Sequence, residues 1–330
     1  MKFGMEKREI KPIGLGCWAI GGSFFDLGAP AGWGDVKDEV SLEALKQGIE
    51  MGVSLIDTAN IYGAGHSERL VGKAIKGMRD KVILTTKFGI LCDEETRTTT
   101  GQIEKEADIR FSCEESLRRL GTDYIDVFLF HIGDYPKERA PMVRVVLEDL
   151  VKEGKIRSYG WSTSDPERAA IFAKGTHAGS MEFALNVMED DPGMVEFCRR
   201  EGMSAICRSP LAMGLLTGKY HADTVMPDQD LRGKNAPPWM NYYIDGRPNE
   251  VFLNKLNAIR EILTSGGRTL AQGCIAWVLG RGEHCIPIPG FKTPKQVEEN
   301  VKAVEYGPLL PEQMKEIEEI LGEEGEFRGN

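Results

Sequence analysis

No stretch of the sequence is apolar for long enough to cross a bilayer. A transmembrane helix needs about 18 or more consecutive apolar residues, and the 330-residue chain contains no such run. The first residues, MKFGMEKREIKP, also lack the apolar segment of a signal peptide. We therefore expect a cytoplasmic protein with no membrane partner.

Paired cysteines are missing as well. The seven cysteines are odd in number and scattered, and no CxxC motif occurs. His284 and Cys285 are adjacent, a spacing poorly suited to chelating one ion. We expect reduced thiols in the protein core and no bound metal.

Basic residues are too few for a protein that binds nucleic acid through its surface charge. The chain has 41 Lys and Arg against 51 Asp and Glu, so its net charge is −10. Apolar residues make up 41% of the chain and charged residues 28%, which excludes wholesale disorder. We expect no nucleic-acid partner, and the sequence does not define an oligomeric state.

Short apolar segments that favour strands alternate with longer helical patterns. The strand segments are Pro12–Cys17, Ser54–Thr58, Lys81–Lys87, Tyr124–His131, Ile156–Ser162, Met181–Asn186, Ser204–Ser209 and Cys285–Pro289. Helical spacing of apolar residues spans Asp38–Met51, Gln102–Leu120, Glu138–Glu153 and Pro166–Lys174. Eight alternations predict a (β/α)8 TIM barrel of the α/β class. An open doubly wound sheet uses the same local units and is the alternative.

No polar linker divides the sequence, which predicts a single domain over residues 1–330. The longest irregular stretch, His221–Asn249, is predicted to be a long loop after the seventh strand. Pro294–Val304 and Pro311–Leu321 predict two extra C-terminal helices. The tail that follows, GEEGEFRGN, is predicted to be frayed.

Four polar residues fall at or just beyond the carboxyl ends of three neighbouring strand segments. Asp57 lies in LIDTA, and Tyr62 follows it in the loop. Lys87 and His131 end the next two segments. Singly, each has an ordinary structural explanation, such as a cap, rim packing or a core hydrogen bond. Together they occupy the rim on which barrel enzymes carry their active sites.

These four side chains suit the reduction of a carbonyl group. Tyr62 would be the general acid, and the Lys87 ammonium would lower its pKa by favouring the phenolate. Asp57 would keep Lys87 charged and in position. A neutral His131 would hydrogen-bond the carbonyl oxygen and orient it.

At these residues the chain resembles the aldo-keto reductase family. The blocks that carry the resemblance are GLGCW, LIDTANIYGAGHSERLVGKAI, LRRLGTDYIDVFLFH, SPLAMGLLTGKY and IPIPGFKTPKQVEEN. The resemblance implies a (β/α)8 barrel that uses NADPH, or less often NADH. It also implies an Asp-Tyr-Lys-His catalytic tetrad, which Asp57, Tyr62, Lys87 and His131 match in order.

The resemblance further implies a set of cofactor-binding positions. Those toward the nicotinamide are Trp18, Ser162, Thr163, Glu182 and Arg208, and Asp57 is counted with them. Those of the pyrophosphate cradle are Ser209, Pro210, Leu211, Ala212 and Lys219. Those of the adenosine end are Gly290, Lys292, Gln296, Glu299 and Asn300.

Three nicotinamide positions depart from the family's usual residues. This chain has Thr163 where the family usually has Asn and Glu182 where it usually has Gln. It has Arg208 where the family often has an aromatic residue that stacks on the nicotinamide ring. A carboxylate accepts a hydrogen bond from the carboxamide NH2 but cannot donate one to its oxygen. We expect Glu182 and Arg208 to lie close enough to compensate each other's charge.

Lys292 favours NADPH, because a ribose 2′-phosphate needs a cation, although Gln296 stands where many members have arginine. Tyr62, His131, Trp33 and Trp239 are expected to line the substrate pocket. The two tryptophans have a simpler explanation, which is packing of the barrel rim.

The sequence thus predicts an NADPH-dependent reductase that converts small-molecule aldehydes or ketones to alcohols, reversibly. Two alternatives stay open. The same residues would serve an NAD(P)-dependent polyol or sugar dehydrogenase. Some members of the family work instead as cofactor-binding regulatory or interaction subunits. The complete tetrad favours catalysis.

Overall fold

The computed structural model describes residues 1–323, so most of the predicted frayed tail lies outside the described residues. Eight parallel strands form its centre. They are β1 (Gly14–Gly16), β2 (Leu55–Asp57), β3 (Ile83–Phe88), β4 (Ile125–Phe130), β5 (Ile156–Ser162), β6 (Ala178–Ala184), β7 (Ser204–Arg208) and β8 (Cys285–Pro287). Each strand pairs in parallel with the next one along the chain.

The end of the first strand meets the segment that follows the last strand, and this contact closes the barrel. Gly16 forms a parallel bridge with Gly290, and its amide donates a hydrogen bond to the Pro289 carbonyl at 3.1 Å. The predicted (β/α)8 barrel is therefore confirmed, and the alternative of an open doubly wound sheet is wrong.

Helices follow the strands on the outside of the barrel. They are α1 (Asp38–Glu50), α2 (His66–Ala74), α3 (Glu106–Leu120), α4 (Ala140–Lys152), α5 (Pro166–Ala173), α6 (Pro192–Glu201), α7 (Glu250–Ala258), α8 (Arg260–Thr264), α9 (Leu270–Gly280), α10 (Pro294–Lys302) and α11 (Pro311–Glu323). The last two are the predicted C-terminal helices. No helix within residues 1–323 combines the length and apolar character needed to cross a bilayer.

Local sequence explains where several helices begin and end. The Asp165 side chain caps α5 by accepting from the amides of Glu167 and Arg168. Thr269 and Gln272 form a reciprocal capping box at the start of α9. Gly121 ends α3 in a left-handed conformation, with φ of 64°.

A small apolar cluster fills the barrel interior and is separate from the larger core between strands and helices. Its strand members are Leu55, Ile83, Val127, Leu129, Ile206 and Ile286. A hairpin of Lys2–Phe3 and Arg8–Glu9 covers the amino ends of the strands, where Phe3 joins the cluster and the Gly4 amide donates to Ser204 Oγ at 2.9 Å. The cluster and the hairpin thus fill the barrel interior toward the amino ends of the strands.

The predicted helix Gln102–Leu120 is wrong at its start. Thr98–Gln102 is a strand, because its run of threonines favours extended backbone. The helix begins four residues later, at Glu106. The Asp108 carboxylate in its first turn accepts hydrogen bonds from the amides of Glu104 and Lys105. Thr98–Gln102 belongs to a four-stranded sheet with Ile90–Asp93, Phe25–Asp26 and Ala29–Pro30, built from the loops after β1 and β3.

The predicted long loop after β7 contains only a short hairpin, Tyr243–Ile244 with Arg247–Pro248. The Leu231 amide donates to the Gly32 carbonyl at 3.0 Å, which ties this loop to the loop after β1. The loop therefore lies over the carboxyl end of the barrel.

Barrel closure depends on the absence of a side chain at Gly16. A Cβ atom there would lie 2.5 Å from the Ile288 carbonyl oxygen. We expect Gly16→Ala to lower the free energy of unfolding by about 1–3 kcal/mol, measured by chemical denaturation. Gly193→Ala in the first turn of α6 is the control, because its nearest neighbour is 3.6 Å away. Equal stability of the two variants would contradict this account of closure.

Candidate active site

The carboxyl ends of β2, β3 and β4 bring the four predicted tetrad residues together. Asp57 is the last residue of β2, and Lys87 is the penultimate residue of β3. Tyr62 lies in the loop between β2 and α2, and His131 directly follows β4. The prediction that Lys87 ends its strand is off by one residue, since the buried Phe88 continues it.

Lys87 is completely buried, and oxygen atoms surround its ammonium group. Nζ donates to the two carboxylate oxygens of Asp57 at 2.7 and 2.6 Å and to the Thr58 carbonyl at 3.0 Å. Thr85 Oγ1 donates to Asp57 at 2.6 Å and fixes the carboxylate. Burial lowers the pKa of Lys87, but the carboxylates of Asp57 and Glu182 outweigh it, so the pKa stands above its ordinary value.

The Tyr62 ring lies between aromatic neighbours and close to this cation. It stacks on Trp18 with ring centroids 5.6 Å apart, and Lys87 Nζ lies 5.1 Å from the Tyr62 ring centroid. Burial raises the pKa of the Tyr62 phenol above its ordinary value. Lys87 acts in the opposite direction, as expected, but the expectation of a net lowering is wrong because burial outweighs it.

His131 completes the group beside Tyr62. The two rings are perpendicular, with an interplanar angle of 84° and centroids 6.1 Å apart. Burial lowers the pKa of His131 well below its ordinary value, and the cations Lys87 and Arg208 add to the effect. The imidazole is therefore neutral, and its buried Nδ1 atom has no hydrogen-bond partner.

Glu182 contacts Lys87 rather than Arg208, the expected partner. Its Oε2 atom lies 3.3 Å from Lys87 Nζ, and Ser162 Oγ donates to Oε1 at 3.2 Å. The positive charge of Arg208 lowers the pKa of Glu182, so the two charges do act on each other, but within residues 1–323 no ion pair joins them. The reason is register: Glu182 pairs with Ile206 across β6 and β7, whereas Arg208 lies opposite Ala184.

The remaining nicotinamide positions are also at this rim. Thr163 is buried, and its hydroxyl donates to the Gly133 carbonyl at 2.9 Å. Trp18 Nε1 donates to the Ala31 carbonyl at 3.2 Å, which fixes the indole over Tyr62. Thr163 and Trp18 thus hold loops in place through backbone carbonyls.

The pyrophosphate positions lie in a loop with unusual backbone conformation. Ser209, Ala212 and Met213 have φ of 56°, 44° and 53°. Such left-handed backbone is costly outside glycine, and consecutive turns of this kind form concave, anion-binding arrays of amides. Pro210 and Leu211 are buried between them, and Lys219 follows as an exposed cation.

The adenosine positions lie just after β8 and in α10. They are Gly290, Lys292, Gln296, Glu299 and Asn300. Asn300 is buried and donates to the Gly290 carbonyl at 3.3 Å, and Gln296 Oε1 accepts from the Lys292 amide at 2.7 Å. The Lys292 ammonium donates to the Trp33 carbonyl, and burial lowers its pKa.

The two tryptophans assigned to the substrate pocket both contact Trp18. Trp33 meets it edge-on with centroids 5.7 Å apart, and Trp239 lies 6.2 Å away in a tilted arrangement. Trp239 is 52% exposed, so an indole face is open to solvent near Tyr62. Trp33 is fixed on its other side by the Arg232 guanidinium, 4.7 Å from its ring.

Sequence reasoning missed several residues that shape the site. Asn186, two residues after the end of β6, donates to the Tyr242 hydroxyl at 2.9 Å and so joins this segment to the long loop. Arg232 pairs with Asp230 inside that loop. The contact between Asn186 and Tyr242 joins segments that are distant in the sequence, so no local pattern signals it. Among residues 1–323, no group of three or more His, Cys, Asp or Glu side chains is arranged to hold a metal ion.

Comparison with known proteins agrees with this geometry. The aldo/keto reductase family profile matches residues 12–322. The chain belongs to this family. The aldo-keto reductase yakc [NADP(+)] of Schizosaccharomyces pombe is 31% identical over 322 residues, which cover 94% of this chain and 88% of that protein.

Solved structures of other aldo/keto reductases have the same fold. The glycerol dehydrogenase AKR11B4 from Gluconobacter oxydans is 28% identical, with a TM-score of 0.80 over 97% of this chain and 94% of that one. An aldo/keto reductase from Klebsiella pneumoniae, solved in complex with NADP and acetate, is 25% identical, with a TM-score of 0.69 over 97% and 94% of the two chains.

The buried Lys87 makes a strong prediction for stability. Lys87→Met would leave Asp57 and Glu182 as buried carboxylates without their cation. We expect the free energy of unfolding at neutral pH to fall by about 3–5 kcal/mol, measured by chemical denaturation. Lys46→Met on the exposed face of α1 is the control and should change stability little. A Lys87→Met variant as stable as the control would show that the ion pair does not hold the site together.

Proposed function

We propose that this aldo/keto reductase is a single-domain, NADPH-dependent enzyme that reduces small aldehydes or ketones to alcohols, and that the reaction is reversible. The observation that carries the proposal is the buried Asp57–Lys87 ion pair, whose ammonium lies 5.1 Å from the Tyr62 ring centroid. This arrangement stands at the carboxyl end of the barrel, where barrel enzymes carry out their chemistry.

The residues present fit a dinucleotide cofactor. The left-handed backbone at Ser209, Ala212 and Met213 offers amides to a pyrophosphate, and Lys219 adds a cation nearby. Lys292 is available to a ribose 2′-phosphate. Support for NADPH also comes from the NADP(+) in the name of the S. pombe relative and from the NADP bound in the K. pneumoniae structure.

In the proposed mechanism, Tyr62 donates its phenolic proton to the substrate oxygen. The phenol is protonated at neutral pH, and Lys87 offsets part of the rise in pKa that burial causes, which makes the phenol a stronger acid than burial alone would leave it. The Lys87 ammonium then stabilises the phenolate that remains, and Asp57 holds Lys87 in position. NADPH, when bound, supplies the hydride for the carbonyl carbon.

His131 has the protonation state for a second contact to the substrate oxygen. Its neutral imidazole carries one N–H donor, and its ring lies at the edge of Tyr62. A donor in this position orients the carbonyl and stabilises negative charge as it develops on the oxygen.

The direction of the reaction in the cell is a separate question. The G. oxydans neighbour is described as a glycerol dehydrogenase, which favours testing polyol oxidation beside carbonyl reduction. Tyr62 would then accept the proton as general base.

The seven cysteines are free thiols, which supports a reducing compartment, the cytoplasm, as the site of action.

The proton-donor role predicts the effect of removing one oxygen atom. We expect Tyr62→Phe to lower kcat for NADPH-dependent reduction of an aromatic aldehyde by about 10²–10⁴-fold, because positioned acid catalysis contributes that much. NADPH affinity, followed by fluorescence, should be retained. Tyr306→Phe, at an exposed ring, is the control. Near wild-type turnover in Tyr62→Phe would rule out this mechanism.

Cofactor choice is tested at Lys292. A charge-assisted hydrogen bond contributes about 1.5–3 kcal/mol, so Lys292→Ala should weaken NADPH binding by roughly 10–150-fold and NADH binding far less. Comparing both cofactors in one variant cancels any effect of losing the contact to Trp33. Lys295→Ala, three residues away and exposed, is the control. Equal losses for both cofactors would remove Lys292 from the 2′-phosphate site.

A further inference from the structure

Lys87 is held by two carboxylates, although one is enough to neutralise it. Asp57 forms the close contacts, and Glu182 lies on another side with Oε2 at 3.3 Å from Nζ. Glu182 is fully buried, and the ion pair with Lys87 is the only polar contact of Oε2 among residues 1–323. Burying a second carboxylate beside an ammonium that Asp57 already neutralises is costly, so the presence of Glu182 next to the reacting group calls for an explanation.

Charged and polar groups face Glu182 from several strands. Asp57 and Lys87 approach from β2 and β3, Ser162 from β5, and Arg208 from β7. Tyr62 and His131 lie beyond Lys87, around the same ammonium. Burial and Asp57 raise the pKa of Glu182 to about 7, although Lys87 and Arg208 act in the opposite direction.

We propose that Glu182 is a positioning residue that acts on Tyr62 through Lys87. The ionised carboxylate draws the Lys87 ammonium toward β6, away from the phenol. The protonated carboxyl releases this pull, and the ammonium is then directed by Asp57 alone and stabilises the phenolate left after proton donation. The inference rests on the proposed function, since it concerns the proton donor of that reaction.

The consequence for catalysis has a definite sign. An ionised Glu182 also raises the pKa of Tyr62 by its negative charge, which makes the phenol a weaker acid. Both effects slow carbonyl reduction. The reaction should therefore be fastest below pH 7, where Glu182 is protonated, and should slow as pH rises through that value.

The first test compares pH profiles of kcat for aldehyde reduction at saturating NADPH. If turnover follows the protonated fraction, wild-type kcat one unit above the midpoint should be about tenfold below its acidic plateau. Glutamine has nearly the same shape as glutamate but does not titrate. In Glu182→Gln the fall of kcat with rising pH should therefore disappear, while KM for the aldehyde changes little. Glu43→Gln on the exposed face of α1 is the control and should keep the wild-type profile.

A second variant keeps the inference testable even if Glu182→Gln folds poorly. Ser162→Ala removes the hydroxyl that donates to the Glu182 carboxylate, so the ionised form loses a stabilising partner. The midpoint of the fall in kcat should then move to higher pH. An unmoved midpoint would count against Glu182 as the titrating group.

A third measurement needs neither substrate nor cofactor. Infrared difference spectra across pH 7 should contain the carbonyl stretch of a protonated, buried carboxylic acid in the wild-type protein, and this band should be absent in Glu182→Gln. A pH profile of kcat that is unchanged in Glu182→Gln, or an infrared band that survives the substitution, would overturn this inference and leave the proposed function standing. Absence of turnover in the wild-type enzyme at every pH, with every carbonyl substrate, would overturn the proposed function and this inference with it.

Discussion

Lys87 carries a positive charge inside the barrel, and the carboxylate of Asp57 makes this possible. An isolated ammonium without solvent would lose its proton or destabilise the fold. The two close contacts to Asp57 and the one to the Thr58 carbonyl replace its lost hydration. The rest of the catalytic group depends on this pair, because after burial its charges have the largest effect on the pKa values of Tyr62, His131 and Glu182.

The fold keeps this charge at the carboxyl end of the barrel, beyond an apolar cluster in the interior. Leucine, isoleucine and valine side chains fill the lumen, and the N-terminal hairpin covers its amino end. The loops after β1, β3 and β7 surround the opposite end, where Trp18, Trp33 and Trp239 form an aromatic wall near Tyr62. The result is a desolvated site in which each charge acts strongly on its neighbours.

Much of this arrangement could be predicted from the sequence, because barrel strands buried on both faces leave continuous apolar runs. The limits of β5 were predicted to the residue, whereas β6 begins three residues early, since Ala178, Gly179 and Ser180 carry no apolar signal. The four-stranded sheet was missed because its strands come from two separate loops, and pairing of that kind leaves no local pattern.

The electrostatics of the site were harder to predict than its composition. The partner of Glu182 follows from the register of β6 and β7, which no single strand reveals. The net direction of the Tyr62 pKa required knowing how deeply the phenol is buried, since Lys87 alone would lower it. Residue types at strand ends identify a reaction class, whereas the balance between burial and charge is a property of the folded structure.

A crystal structure of the wild-type protein with NADP⁺ tests the central claim most directly. The account predicts that the nicotinamide ring lies in contact with Tyr62 and that Lys87 remains between Asp57 and Glu182. It also predicts the pyrophosphate on the amides of the loop after β7. A nicotinamide bound away from Tyr62, or a Lys87 side chain that leaves Asp57 when the cofactor binds, would contradict it.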